Sequence, residues 1–175
     1  LKWLIRVCAG LLVAFALGGV ALPNHYQVVQ QIEINADKAE IYPWIADLKR
    51  WPQWTSWHNN NPKLQIVLGD PSFGDDAYQR WVDEQGREKG NLIFNTAHPD
   101  HGVSYTMSVG DNYATGDIAL RTLKNRVTVI RWQMKGEFDR FLIGPYMALF
   151  SRYFIDHNFK KGLTRLKTAI ESNNV

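Results

Sequence analysis

Pro145-Tyr-Met-Ala-Leu-Phe-Ser-Arg-Tyr-Phe-Ile-Asp-His-Asn-Phe-Lys-Lys-Gly-Leu-Thr-Arg-Leu-Lys-Thr-Ala-Ile-Glu171 is the stretch on which the architecture turns. Apolar residues recur at Tyr146, Leu149, Phe150 and Tyr153, then at Phe159, Leu163, Leu166 and Ile170. Steps of three and four place them along one side of a helix. Pro145 suits a first helical turn, where its missing N–H costs nothing. Such a helix runs to roughly 40 Å at about 1.5 Å per residue. That is long for a small domain, so other elements must wrap it along most of its length. Asp156 breaks the stripe at its middle, and pairing with a sheet arginine such as Arg80, Arg121 or Arg131 would satisfy it. Gly162 lies within the stripe, where a missing side chain lets the helix come close to its neighbour.

The hundred residues before the helix supply the wrapper. From Lys63 onward, short runs at Gln65–Leu68, Ala77–Asp83, Asn91–Ala97, Val103–Val109, Thr115–Leu123 and Arg126–Lys135 alternate with turn signals. The signals include Gly69-Asp70-Pro71, Gly86, His98-Pro99-Asp100, Gly110-Asp111-Asn112, Lys124-Asn125 and Gly136. Consecutive strands joined by tight turns pair antiparallel as a meander. Alternation is clearest in the last, where Thr128, Ile130, Trp132 and Met134 share one face.

Upstream, residues 25–35 alternate as a first strand, ending at Asn35-Ala36-Asp37. Asp37 and Glu40 have capping-box spacing, which predicts a helix over Lys38–Asp47 burying Ile41, Trp44, Ile45 and Leu48. Trp44, Trp51, Trp54 and Trp57 place four of the seven tryptophans within 14 residues. The three-residue spacing of the last three suits a short helix with one face buried. They either plug one end of the core or line a pocket for an apolar ligand.

Residues 3–22 are apolar except for Arg6, enough to cross a bilayer core of about 30 Å. Lys2 and Arg6 would stay on the cytoplasmic side, leaving the body on the opposite face. Gly19-Val20-Ala21 also allows a cleaved signal peptide. Residues 1–23 are therefore expected to form a transmembrane anchor or a signal peptide, and 24–175 a single domain.

The formal charge is +3, and Lys2 and Arg6 account for two of it. The nearly neutral remainder lacks the basic footprint of a nucleic-acid surface. The one cysteine, Cys8, lies in the apolar segment, so the body holds no disulfide, thiolate nucleophile or cysteine metal ligand. His98 and His101 flank a hairpin tip, where a solvated turn is expected rather than a metal site. No phosphate loop, nucleophile elbow or zinc-helix motif occurs, and no cofactor is implied.

The order of strand, two short helices, six-strand meander and long helix resembles the helix-grip fold of the START and pollen-allergen (SRPBCC) superfamily. More closely, it is similar to the bacterial polyketide cyclase/dehydrase and lipid-transport family. The resemblance is carried by Ile32–Asp47, by Trp51-Pro-Gln-Trp54 through Trp57, by Val127–Trp132 and by Phe159–Lys167. It implies an α+β fold in which a seven-stranded curved antiparallel sheet grips the C-terminal helix over a deep, largely apolar cavity. The implied partner is a hydrophobic small molecule or lipid, lined by Trp54, Trp57, Tyr105, Met107, Trp132, Met134, Tyr146, Phe150 and Tyr153, with Asp156 as a polar contact. Many members carry one membrane span before the first strand, which implies a bacterial inner-membrane protein with its domain on the periplasmic side. A cyclase/dehydrase-like enzyme and a ligand-free interaction module of the cell envelope are the alternatives. The ligand, the catalytic residues and the oligomeric state stay open.

Overall fold

A computed structural model describes residues 2–56, 63–123 and 126–172. Its elements are α1 (Lys2–Ala21), β1 (His25–Ile34), α2 (Lys38–Ala46), α3 (Trp51–Trp54), β2 (Gln65–Leu68), β3 (Tyr78–Val82), β4 (Glu88–His98), β5 (Gly102–Val109), β6 (Asn112–Thr122), β7 (Thr128–Glu137) and α4 (Gly144–Ser172). The seven strands form one antiparallel sheet in the order β1-β7-β6-β5-β4-β3-β2. β1 and β2 lie at opposite edges, so α2 and α3 carry the chain across six strand spacings, about 29 Å at about 4.8 Å each. They cover one end of the concave face. α4 lies along β1 and also meets β7 and α3.

Thr128, Ile130, Trp132 and Met134 of β7 are all buried, as their alternation predicts. α2 buries Ile41 and Ile45 and is followed by buried Leu48. Trp44 is half-buried instead, with the Arg50 guanidinium 5.1 Å from its ring centre. The expected capping box is not formed, because the Asp37 side chain makes no cap hydrogen bond. Asp37 and Glu40 both turn to Arg126, whose charge competes for the two carboxylates better than a backbone N–H does.

α4 departs from its sequence reading in one respect. Its second half buries Phe159, Gly162, Leu163, Leu166 and Ile170, as expected. In its first half the stripe of Leu149, Phe150 and Tyr153 faces outward, at 59%, 69% and 78% exposure. The buried line runs instead through Pro145, Ala148 and half-buried Ile155. Small residues on that line make room for the sheet and hide it from any hydrophobicity count. The helix thus carries two apolar faces, one per half.

Candidate ligand cavity

Aromatic rings fill the grip beneath the second half of α4. Trp132 stacks on Phe159 and meets Trp54 edge-on with centroids 5.1 Å apart. Trp51 continues the cluster to Phe94 and Tyr105 at 5.5 and 5.7 Å. The polar handle of each indole is satisfied. Trp51 Nε1 donates to the Ile45 carbonyl at 2.9 Å, Trp54 Nε1 to the Trp44 carbonyl at 3.1 Å, and Trp132 Nε1 to the Tyr105 hydroxyl at 2.9 Å. Buried aromatics with satisfied hydrogen bonds rigidify a core. Burial holds the Tyr105 hydroxyl far above its ordinary pKa, so it stays protonated and offers no acid–base chemistry near neutrality.

Where this plug ends, a cavity begins. Leu64, Trp81 of β3, Lys89 of β4, Met107 and Val109 of β5, Met134 of β7, and Phe154 and Ile155 of α4 enclose about 290 Å³. Strand alternation sets the order of these walls. Tyr105, Met107 and Val109 follow one another on the concave face of β5, as Trp132 and Met134 do on β7. The first residue of each run belongs to the plug and those after it line the cavity. Because α4 lies toward β1 and β7, Trp81, Met107 and Val109 meet its Phe154–Ile155 edge across a gap.

Of the described lining residues, Lys89 alone is ionisable, and it sits at the rim 3.3 Å from the Asp83 carboxylate. Burial tends to raise the Asp83 carboxyl. Hydrogen bonds from the Arg87 backbone and guanidinium, from Lys89 and from the Gln85 N–H outweigh it and bring its pKa to about 2. Gln79 shares the concave face of β3 with Trp81 and lies in register with Leu92, which in turn faces Met107. It is 2% exposed, and its Oε1 has no hydrogen-bond partner among the described residues. A buried orphan of this kind is costly unless something else supplies a donor.

The residues singled out in the sequence fall in several different places. Met107 and Met134 line the cavity, whereas Trp54, Tyr105 and Trp132 lie within the plug behind it. Phe150 and Tyr153 lie on the outer face of α4, and Tyr146 packs on α1. Trp57 lies outside the described residues. Asp156 borders a separate groove between α4 and β1 with Gln27, Val29, Arg152 and Tyr153. Its carboxylate pairs not with a sheet arginine but with Lys160 at 2.8 Å, and it also accepts from Gln30 Nε2. Lys160 and Gln30 together hold its carboxyl below the usual range. A neighbour one helical turn away reaches it more easily than a strand arginine does.

Leu64, Trp81, Lys89, Val109, Phe154 and Ile155 are lining residues that sequence reasoning missed. The spacing of Ile155 from Ala148 and from Phe159 was the available signal for α4. His98 and His101 are exposed at the β4–β5 turn with rings 4.9 Å apart, and no group of three or more potential metal ligands gathers among the described residues.

A curved antiparallel sheet closed over a long C-terminal helix, with an apolar cavity between them, defines the helix-grip, START-like class, a fold for hydrophobic ligands. Residues 25–171 match the model of the polyketide cyclase/dehydrase and lipid transport family, and the chain belongs to that family. Among curated proteins none matches the chain in sequence. Solved structures of the same fold include a START superfamily protein from Mycobacterium smegmatis, 18% identical, with a TM-score of 0.53 over 84% of this chain and 98% of that one. A protein from Chromobacterium violaceum is 12% identical, with a TM-score of 0.56 over 83% of this chain and 98% of its own. A norcoclaurine synthase point mutant from Thalictrum flavum, in complex with a transition-state analogue, is 12% identical, with a TM-score of 0.54 over 86% and 97%. At such identities the likeness is one of fold.

Proposed function

We propose that this chain is a membrane-anchored binding protein that holds a hydrophobic small molecule, or one chain of a lipid, in the cavity between the sheet and α4. The observation that carries the reading is the apolar lining formed by Trp81, Met107, Val109, Met134, Phe154 and Ile155. At about 290 Å³ the cavity lies at the small end of the roughly 300–1,000 Å³ of typical ligand sites. That size suits a ring system or a segment of acyl chain better than a two-chain lipid. Lys89 at the rim would meet a polar or anionic end, and Gln79 would accept a hydrogen bond from a donor reaching the inner wall. Two flexible methionines let the walls adapt to more than one apolar shape.

Binding is favoured over catalysis because Lys89, the ionisable residue of the described lining, is tied to Asp83 in an ion pair at the rim, and Tyr105 is held protonated within the plug. Residues 1–23 serve as the anchor, since α1 is 20 residues long and holds an 18-residue stretch with a mean hydropathy of 2.2. Lys2 and Arg6 orient residues 24–175 to the outer side of the bacterial inner membrane. Native mass spectrometry of the full chain extracted from its host membrane tests the reading. A recurrent adduct of an apolar molecule is expected. Repeated recovery of the empty chain, together with failure to take up an apolar fluorescent probe, would defeat it.

A further inference from the structure

We propose that the outer face of the first half of α4 is embedded in the membrane interface beside α1, so that the Phe154 wall of the cavity stands at the lipid surface and cargo enters from the bilayer. Three observations converge on this arrangement. The first is the fixed contact between the two helices. The Phe15 ring of α1 stacks on Tyr146 of α4 with centroids 4.6 Å apart and planes 6° from parallel. The Tyr146 hydroxyl donates to the Phe15 carbonyl at 2.7 Å. Gly18 and Gly19 make this approach possible. A Cβ on Gly18 would fall 2.3 Å from the Tyr146 hydroxyl, and one on Gly19 would fall 2.6 Å from the Leu142 carbonyl oxygen.

The second observation is depth. Phe15 lies six residues before the end of α1, about 9 Å along its axis at about 1.5 Å per residue. If α1 spans a bilayer, whatever stacks on Phe15 sits within the outermost layer of that bilayer. Interfacial helices are buried to about this extent, roughly 5–10 Å into the boundary between headgroups and acyl chains.

The third observation is the surface that begins at this contact. Phe141 and Ile143 of the loop before α4, then Leu149, Phe150 and Tyr153 on the helix, are exposed, and Leu142 between the first two packs on Gly19 of α1. Arg140, 3.9 Å from the Asp111 carboxylate, and Arg152 are exposed in the same stretch of chain. Tyrosine and phenylalanine beside arginine are the side chains that suit the headgroup level. A soluble domain would leave this face costly in water. Phe154 belongs both to the exposed side of the helix and to the cavity wall, which links the surface to the ligand site.

The proposal rests on the binding reading only for what passes the rim, and the depth of α4 can be measured without any ligand. Full-length chain carrying Cys8→Ser is given a single cysteine, as Phe150→Cys or as Thr168→Cys on the exposed far half of α4. Each is labelled with an environment-sensitive fluorophore and reconstituted into phosphatidylethanolamine–phosphatidylglycerol vesicles. The label at 150 should shift to the blue and be quenched by acyl chains brominated near the headgroup, while that at 168 stays unquenched. Equal exposure of both labels to aqueous iodide overturns the proposal. A blue shift at 150 without lipid quenching overturns it too, and would assign the face to a protein partner. Quenching at 150 in a chain that takes up no apolar probe would uphold the docking and reject the binding reading.

Discussion

Trp132 of β7 and Phe159 of α4 lie face to face, with ring centroids 3.7 Å apart and planes 9° from parallel. The pair ties the last strand to the last helix, and Trp51 and Trp54 close around it. Phe159→Ala removes one side of the stack from a site with no exposure and should destabilise the domain by about 3–5 kcal/mol. Phe159→Leu should cost markedly less, because it refills most of the volume. Urea denaturation followed by tryptophan fluorescence ranks the two, and equal costs would show that the ring stack, not the filled volume, carries the stability.

Gly162 sets how closely α4 meets the plug. A Cβ there would lie 3.2 Å from the Trp132 ring and 3.4 Å from the Trp54 carbonyl oxygen. Gly162→Ala should be close to neutral, since a helix-propensity gain of about 1 kcal/mol offsets a slight displacement of the ring. Gly162→Val should lose about 2 kcal/mol or more through overpacking. Thermal melts of the two variants check the contrast.

Filling the cavity separates binding from folding. Met107→Trp places a ring in the space bounded by Trp81, Met134 and Ile155. Affinity for an apolar fluorescent probe should fall about tenfold or more, which corresponds to at least about 1.4 kcal/mol, with little loss of stability. Titration of the probe against both chains reads the difference. An unchanged affinity would place the ligand elsewhere.

Gln79 should trade stability for recognition. Gln79→Met keeps the volume and removes the unpartnered Oε1, so unfolding free energy should rise by about 1 kcal/mol. A loss of similar size would show that the carboxamide is fully partnered in solution.

Asp83 makes the β3–β4 turn sensitive to acid. Its carboxyl drops from an ordinary value of 3.8 to about 2 in the folded chain. A pKa lowered by folding contributes stability above the unfolded value and loses it as pH falls through the folded one. The advantage of the wild type over Asp83→Asn should therefore hold from neutrality to about pH 4, shrink as pH falls toward 2 and be gone only about one pH unit below that. Denaturation at a series of pH values follows it, and a difference that does not change between neutrality and about pH 2 would mean the side chain acts through packing alone.

The strand meander, the long last helix and the apolar helix before β1 were legible because each is a local pattern. Alternation, turn residues and a hydrophobic run are properties of a few neighbouring residues, and backbone geometry converts them directly into elements. The same holds for Gly162, whose place among Phe159, Leu163 and Leu166 announced a close approach. What the tertiary structure decided was which face of each element meets which. Tyr146, Leu149, Phe150 and Tyr153 share a helical face in the sequence, and nothing local says that this face turns away from the sheet. Ala148 takes the buried side because the gap there is narrow, so small size rather than hydrophobicity selects it, and Ile155 two turns on lines the cavity. Trp54, Tyr105 and Trp132 carry the residue types of a ligand pocket, yet their mutual packing fills the grip and moves the cavity to Met107 and Met134. That outcome depends on contacts between residues as far apart in the chain as Trp54 and Trp132. The sequence alone therefore determined the elements and their order, and only the folded arrangement determined which apolar surfaces were sealed together and which were left open.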